Sequence, residues 1–282
     1  MFTLKLTNEF HKEIELTHKN DYKVTSITGL NPPGATISTS TVAGFDGERY
    51  NSSRLNKRNV VITVVITENV AAILNEFNKL LLPKRYLKIS YKTPTRNVYI
   101  EGYTESFEYD HFNKKVSCQI SVICPNPFWR AQESESEILS PTIDLFEFPF
   151  SIPKEGIAFS EYIGSKMGYI ENLGNIETGI QIDIEALKRV LNPFIVNVTT
   201  GQRMKLDIEI YEGDHIIINT ERGNKSITLE RNSESYNALN NLADGSEWIQ
   251  LLPGSNRFNY DSDYGADNMK LYIKYPTLYG GV

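Results

Sequence analysis

The chain has 282 residues, is 40% hydrophobic and 23% charged, and carries a formal net charge of −6. That length admits one large or two ordinary domains. Scattered Lys and Arg under an acid excess argue against a protein built mainly to neutralise phosphates, so no specific nucleic-acid contact is expected. The most apolar block, Val60–Ile66, is far too short for a membrane span, so no membrane insertion is expected.

Phe2, Leu4 and Leu6 alternate with Thr3, Lys5 and Thr7, and Ile14 and Leu16 repeat the pattern. This is a hairpin with one buried face, not the basic-then-apolar start of a secretory signal, and synthesis in a cytoplasm is expected. Tyr22–Gly34 reads as a strand ended by the breaker cluster Asn31-Pro32-Pro33-Gly34. Residues 35–50 are rich in Thr, Ser and Gly, and Asp46-Gly47 is a favoured pair for a tight hairpin turn. Asn59–Thr67 is β-branched almost throughout and predicts a strand covered on both faces. Val70, Ile73, Leu74, Phe77 and Leu81 then fall at helical spacing, with Asn69 as cap and Pro83 as stop, which predicts a helix over about 69–82. Strands resume at Tyr86–Tyr91, Val98–Tyr103 and Lys115–Ile123.

The chain changes character across Val122–Arg130. Pro125 and Pro127 cannot continue a ladder because neither has a backbone N–H. Phe128 and Trp129 read as an aromatic plug at the exit of a first domain, with a tight corner inside one larger domain as the alternative. The division expected is a β domain with one helix over 1–130, a connector over 131–166, and a second β domain over 167–282. The connector mixes alternating Glu with Pro141, Pro149, Pro153 and the apolar Leu145, Phe146, Phe148 and Phe150. From Gly168 onward short alternating strands recur with turns at Thr200-Gly201, Glu212-Gly213, Arg222-Gly223, Asp244-Gly245 and Pro253-Gly254, a β-sandwich spacing.

Candidate chemistry is sparse. Cys118 and Cys124 lie on one expected strand, roughly 20 Å apart at about 3.3 Å per residue, beyond disulfide reach, and are expected as buried thiols. His11, His18, His111 and His215 form no ligand cluster, and no metal or cofactor is expected. Asp261–Asp267 has carboxylates at calcium-like spacing but puts Tyr272 where a bidentate Glu is needed, so it reads as a polar loop between the last strands. Ser151-Ile-Pro-Lys154 matches a Ser-x-x-Lys nucleophile in letters only, since Pro153 disfavours the helical turn that chemistry requires. No acid stands out as catalytic, and the chain is not expected to be an enzyme. A glycan- or peptidoglycan-degrading activity is the rival that loss of turnover on mutating one acid would reveal. The 16 tyrosines suit either protein contact or stacking on sugars.

Ile27-Thr-Gly-Leu-Asn-Pro-Pro-Gly34, then Asp46-Gly-Glu-Arg-Tyr50, a strand, the expected helix and Cys124-Pro-Asn-Pro-Phe-Trp129 together resemble the siphophage distal tail protein family. Tyr169–Asn175, Thr178-Gly179, Glu212–Asn219, Gly223–Ser226 and Leu252–Asn256 extend the resemblance through the second half. The resemblance implies a mainly β protein, with an N-terminal sandwich or split barrel bearing one helix and a C-terminal galectin-like or carbohydrate-module-like sandwich. It implies a structural virion protein made in a bacterial cytoplasm. It also implies a homohexameric ring at the distal end of the tail tube, and partners in the tail tube protein, a tail-associated fibre or lysin-like protein and receptor-binding proteins or host-surface glycans. A carbohydrate-binding module acting in host attachment is the alternative. The elements expected to join subunits or rings are Pro32, Pro33, Phe45, Asp46, Gly47, Arg49 and Tyr50 in one region and Phe107, Tyr109 and Phe112 in the Glu105–Lys114 hairpin. Pro125, Pro127, Phe128 and Trp129 are expected to mark the domain junction.

Overall fold

The computed structural model of the chain describes residues 2–17, 21–44, 46–110, 115–138, 142–144, 160–162 and 167–282. The chain forms two compact units, Met1–Gln132 together with Leu278–Val282, and Glu133–Thr277.

The first unit contains β1 (Thr3–Asn8), β2 (Glu13–Glu15), β3 (Tyr22–Thr28), β4 (Ala35–Thr41), β5 (Glu48–Leu55), β6 (Arg58–Ile66), α1 (Val70–Leu80), β7 (Tyr86–Lys92), β8 (Asn97–Tyr109), β9 (Val116–Cys124) and β10 (Trp129–Ala131). An antiparallel sheet runs β2-β1-β7-β8-β9-β6-β3, and β10 pairs with both β8 and Leu278–Tyr279. One face of this sheet builds the core. Leu4 and Leu6, Leu87 and Ile89, Val98 and Ile100, Cys118 to Cys124 on alternate positions, and Val60 to Ile66 on alternate positions are all buried. Helix α1 lays Ile73, Phe77 and Leu80 onto that face, and the Phe77 ring meets Tyr22 and Phe107 edge-on at 5.8 and 5.9 Å. Burial of such side chains stabilises by about 1.5–3 kcal/mol each before ordering costs.

Three local expectations change. Strand β6 is covered on one face only: Val60, Ile62, Val64 and Ile66 are buried, whereas Val61, Thr63 and Val65 are half-exposed. β-Branched residues favour extended backbone wherever they point, so composition does not reveal the second face. Asn69 sits at the helix start in a left-handed conformation (φ 49°) and makes no side-chain cap bond; its amide donates instead to Asp21 Oδ2 at 3.4 Å. The β4–β5 connection spans residues 42–47 with Gly44 and Gly47 at positive φ, a longer loop than the two-residue turn Asp46-Gly47 suggests.

The second unit contains β11 (Glu135–Ile138), β12 (Thr142–Asp144), β13 (Ser160–Tyr162), β14 (Met167–Asn172), β15 (Thr178–Gly179), β16 (Gln181–Ala186), β17 (Val190–Asn197), β18 (Gln202–Lys205), β19 (Glu209–Ile210), β20 (His215–Asn219), β21 (Ser226–Arg231), β22 (Glu234–Asn237), β23 (Gln250–Leu251), β24 (Gly254–Tyr264) and β25 (Met269–Tyr275). Two antiparallel sheets, β11-β25-β16-β20-β21-β22 and β14-β24-β17-β18, enclose a core of Ile182, Ile184, Ile195, Ile216, Ile218, Phe258, Leu271 and Ile273 among others. This is the expected sandwich.

The final strand, β26 (Leu278–Tyr279), belongs to the first unit, and β11, expected inside the connector, pairs with β25 in the second. Asp261 and Asp263 also differ from expectation, since they lie within β24 and not in a loop. Their side chains stay on the solvated face, where Asp263 accepts bonds from Asn192 Nδ2 at 2.9 Å and Lys205 Nζ at 2.9 Å. Of the connector, residues 139–141, 145–159 and 163–166 lie outside the described residues, and with them Pro141, Leu145, Phe146, Phe148, Pro149, Phe150 and the Ser151–Lys154 pattern.

Candidate assembly surface

Arg58 opens β6 at the same parity as Val60, Ile62, Val64 and Ile66, so alternation drives its side chain inward, and it is only 2% exposed. Its guanidinium donates to four main-chain carbonyls: Nε to Pro127 O at 2.7 Å, Nη1 to Gly29 O and to Asn31 O at 2.6 Å, and Nη2 to Gly280 O at 2.5 Å. It lies 5.8 Å from the centroid of the buried Trp129 ring. No carboxylate pairs with it among the described residues, and burial lowers its pKa from the ordinary arginine value. One planar fork therefore ties together the loop after β3, the Pro125–Pro127 turn and the C-terminal segment, which a Lys could not do. The same junction is packed tightly. A Cβ on Gly281 would come within 2.8 Å of Pro32 Cδ, and one on Gly29 (φ 85°) would collide with the Asn59 carbonyl oxygen. Val282 N donates to Leu30 O at 3.0 Å, and the Arg96 guanidinium stacks 4.0 Å over the Tyr279 ring.

From this clamped root β4 and β5 project as a separate two-stranded sheet. Every residue of both strands is exposed, including Ile37 (63%) and Tyr50 (60%). Cross-strand polar bonds hold the pair: Thr36 Oγ1 donates to Asn56 Oδ1 at 2.7 Å, Ser40 Oγ to Asn51 Oδ1 at 3.2 Å, and Thr39 to Glu48. Asn56 N closes the base on Gly34 O at 2.9 Å. Pro32 at the root and Asp46, Gly47, Arg49 and Tyr50 on the arm are all exposed, with Pro33 half-buried. Phe45 lies outside the described residues.

The Glu105–Lys114 hairpin is placed differently. Phe107 and Tyr109 pack against the core cluster, with ring centroids 5.2 Å apart, so they brace α1 while Glu108 faces solvent. The reason is a bulge between Thr104 and Ser106, which shifts the alternation of β8. Phe112 lies outside the described residues. At the domain exit Trp129 is fully buried and Phe128 half-buried, whereas Pro125 is exposed and Pro127 half-buried. Arg58 and the return of residues 278–282 escaped the sequence reading. The parity of Arg58 with the β6 core positions was the available signal for the first; the second has none.

The second unit offers no cluster of metal-ligating groups among the described residues. Its buried polar groups are spent on structure: Asn197 Nδ2 donates to Gln250 O at 3.1 Å and Asn256 Nδ2 to Leu252 O at 2.7 Å. Asp214 is buried against Arg231 (2.5 Å) and accepts from Tyr211 N at 2.8 Å. Burial alone would raise its pKa, but the bonds from Arg231 and the Tyr211 amide win and hold it below the usual carboxylate value. His215 Nδ1 lies 3.0 Å from Asp183 Oδ1 on the solvated face of its sheet, a surface pair.

Comparison with known proteins agrees with this architecture. Residues 11–124 match the family model described as phage tail protein RIFT-related domain, and residues 173–279 match the siphovirus-type tail component, C-terminal domain. The Dit protein (gp 19.1) of phage SPP1, described as a paradigm of hub adsorption apparatus in phages infecting Gram-positive bacteria, superposes with a TM-score of 0.71. It is 12% identical, with 98% of each chain covered. Chains of the phage P2 baseplate, solved in its activated conformation with Ca and with Sr, give 0.53 at 12% identity over 98% of each chain. No curated protein matches the sequence.

Proposed function

Because the chain belongs to the siphophage distal tail protein family, a structural component of the phage tail hub, we propose that it forms a homohexameric ring at the distal end of the tail. In this reading the first unit builds the ring, stacking on the tail tube protein above and on a tail-associated fibre or lysin-like protein below. The second unit faces outward to receptor-binding proteins. The observation that carries the reading is the order of the two family models along one chain whose whole length superposes on a Dit protein. The isolated arm, with the Asn31–Arg58 region around it, supports it as an inter-subunit or inter-ring element, because a two-stranded hairpin alone is marginal in water.

Immunogold labelling of intact particles tests the placement: label is expected at the distal tail end, and label spread along the tube or on the capsid overturns it. Negative-stain images of the purified chain test the ring.

A second reading assigns glycan binding to the second unit. It is favoured by the outward face of the β14-β24-β17-β18 sheet, where Tyr169 is 69% exposed beside Arg257 and the half-exposed Phe194 lies under Arg203 at 4.4 Å. Aromatic rings beside planar polar groups suit sugar stacking. Retention of the full chain on host cell-wall glycans, lost in Tyr169→Ala, is the expected result; equal retention of both sinks the reading.

A further inference from the structure

We propose that the β4–β5 arm of one copy adds to the free edge of β3 in a second copy, a head-to-tail strand exchange between identical chains. This rests on the ring reading above and names the contact that closes it.

The donor is an arm that packs on no other strand or helix among the described residues. All fifteen residues of its two strands are exposed, and Ile37, Tyr50 and Leu55 leave apolar surface in water that a partner would cover. Its root cannot swing back. Arg58 fixes the carbonyls of Gly29 and Asn31, Val282 N holds Leu30 O, and Asn56 N holds Gly34 O. These bonds tie the loop from β3 to β4 to the body of the unit, so the arm stands off its own sheet and an acceptor would come from another chain.

The acceptor is β3, the last strand of the large sheet, which pairs with β6 and, among the described residues, with no other strand. An open edge presents a row of unpaired N–H and C=O groups, a template for an added strand. Its seven residues extend about 23 Å at 3.3 Å per residue, matching the seven and eight residues of β4 and β5. Beside the edge the solvated face carries Ser26 and Thr63. One cross-strand row runs Ser26, Thr63, Gln119 and Glu108. Arm and edge are different surfaces of one molecule, so the contact is heterologous and propagates until a rotation closes it into a ring.

The test uses the full chain. In one variant residues 38–52 are replaced by Asn-Gly, leaving the Ile37 and Ser53 pair as a short hairpin. In another, Ser40→Cys on the arm and Lys23→Cys on the edge are combined and treated with a short bismaleimide. The native thiols are inert background, since both are fully buried and burial pushes Cys118 up to about 11 and Cys124 up to about 12. The expected results are that light scattering of the shortened variant falls from oligomer to single-protomer mass with its thermal transition unchanged, and that the double-Cys chain gives a covalent ladder beyond dimer. Rings that persist in the shortened variant overturn the exchange but leave the ring reading intact. So do cross-links that Ser40→Cys alone forms and that stop at dimer. An unmodified chain that stays monomeric at every concentration overturns both.

Discussion

Replacing Arg58 with Met keeps the length and packing of the side chain and removes the fork. Four carbonyls, the buried one of Gly280 and the part-buried ones of Gly29, Asn31 and Pro127, then lose their donor. An orphaned buried acceptor costs about 1–3 kcal/mol, and the four share one donor group, so the terms do not add. Loss of the fork as a whole is expected to cost about 3 kcal/mol, the upper end for a hydrogen bond to a charged group, since no opposite charge is left unpaired. Set against a typical stability of about 5–15 kcal/mol, this is a large fraction. For a unit of this size it lowers the melting temperature by roughly 10–15 °C, at about 3–5 °C per kcal/mol. The chain contains two tryptophans, Trp129 in the first unit and Trp248 in the second. Trp248→Phe leaves Trp129 as the sole reporter, and its fluorescence follows the first unit alone through heating or denaturant. The transition seen by Trp129 should fall by that amount in the Met variant and by less in Arg58→Lys, which keeps the charge but reaches fewer carbonyls. A Met variant within about 1 kcal/mol of the parent would show that the four bonds merely replace water and that the clamp does not hold the unit together.

Other outcomes follow from the same geometry. Deleting residues 278–282 removes the Leu278–Tyr279 strand pair, the Gly280 acceptor and the Val282 amide; the Trp129 transition should drop by about 2 kcal/mol or more while the second unit keeps its own. Asp214 has a folded pKa below its unfolded value, so its contribution is fully present above about pH 4 and is lost as pH falls through the folded value. Asp214→Asn should destabilise the second unit at neutral pH and flatten its stability profile below pH 4, read by urea unfolding at several pH values. Cys118 and Cys124 should resist a thiol reagent in the native chain at pH 8 and both react in denaturant; labelling of either in the native chain contradicts their burial.

Much of this molecule was legible without coordinates. Alternation at Phe2–Leu6, at Val116–Val122 and at Ile180–Ile184 placed strands and their buried faces, because a pleated strand points successive side chains to opposite sides whatever its neighbours do. The Val70–Leu81 periodicity and Pro83 likewise placed the helix, since its apolar stripe and its stop are local. The order of the turn motifs carried the family, and the two family models then matched both halves of the chain. What stayed hidden is non-local. A valine-rich strand reads the same whether one face or both are covered, so β6 was misjudged. A hairpin reads the same whether it lies on a core or stands alone, so nothing in residues 35–55 announced that the arm has no packing partner among the described residues. The return of Leu278–Tyr279 to the first unit and the four carbonyls that converge on Arg58 join segments up to 222 positions apart. Sequence by itself determined which apolar residues face inward along the helix and the unbroken strands, because that depends on backbone geometry over a few positions. Only the tertiary structure decided which distant segments share an arginine and which strand edge is left open, because those depend on where the folded chain brings its ends.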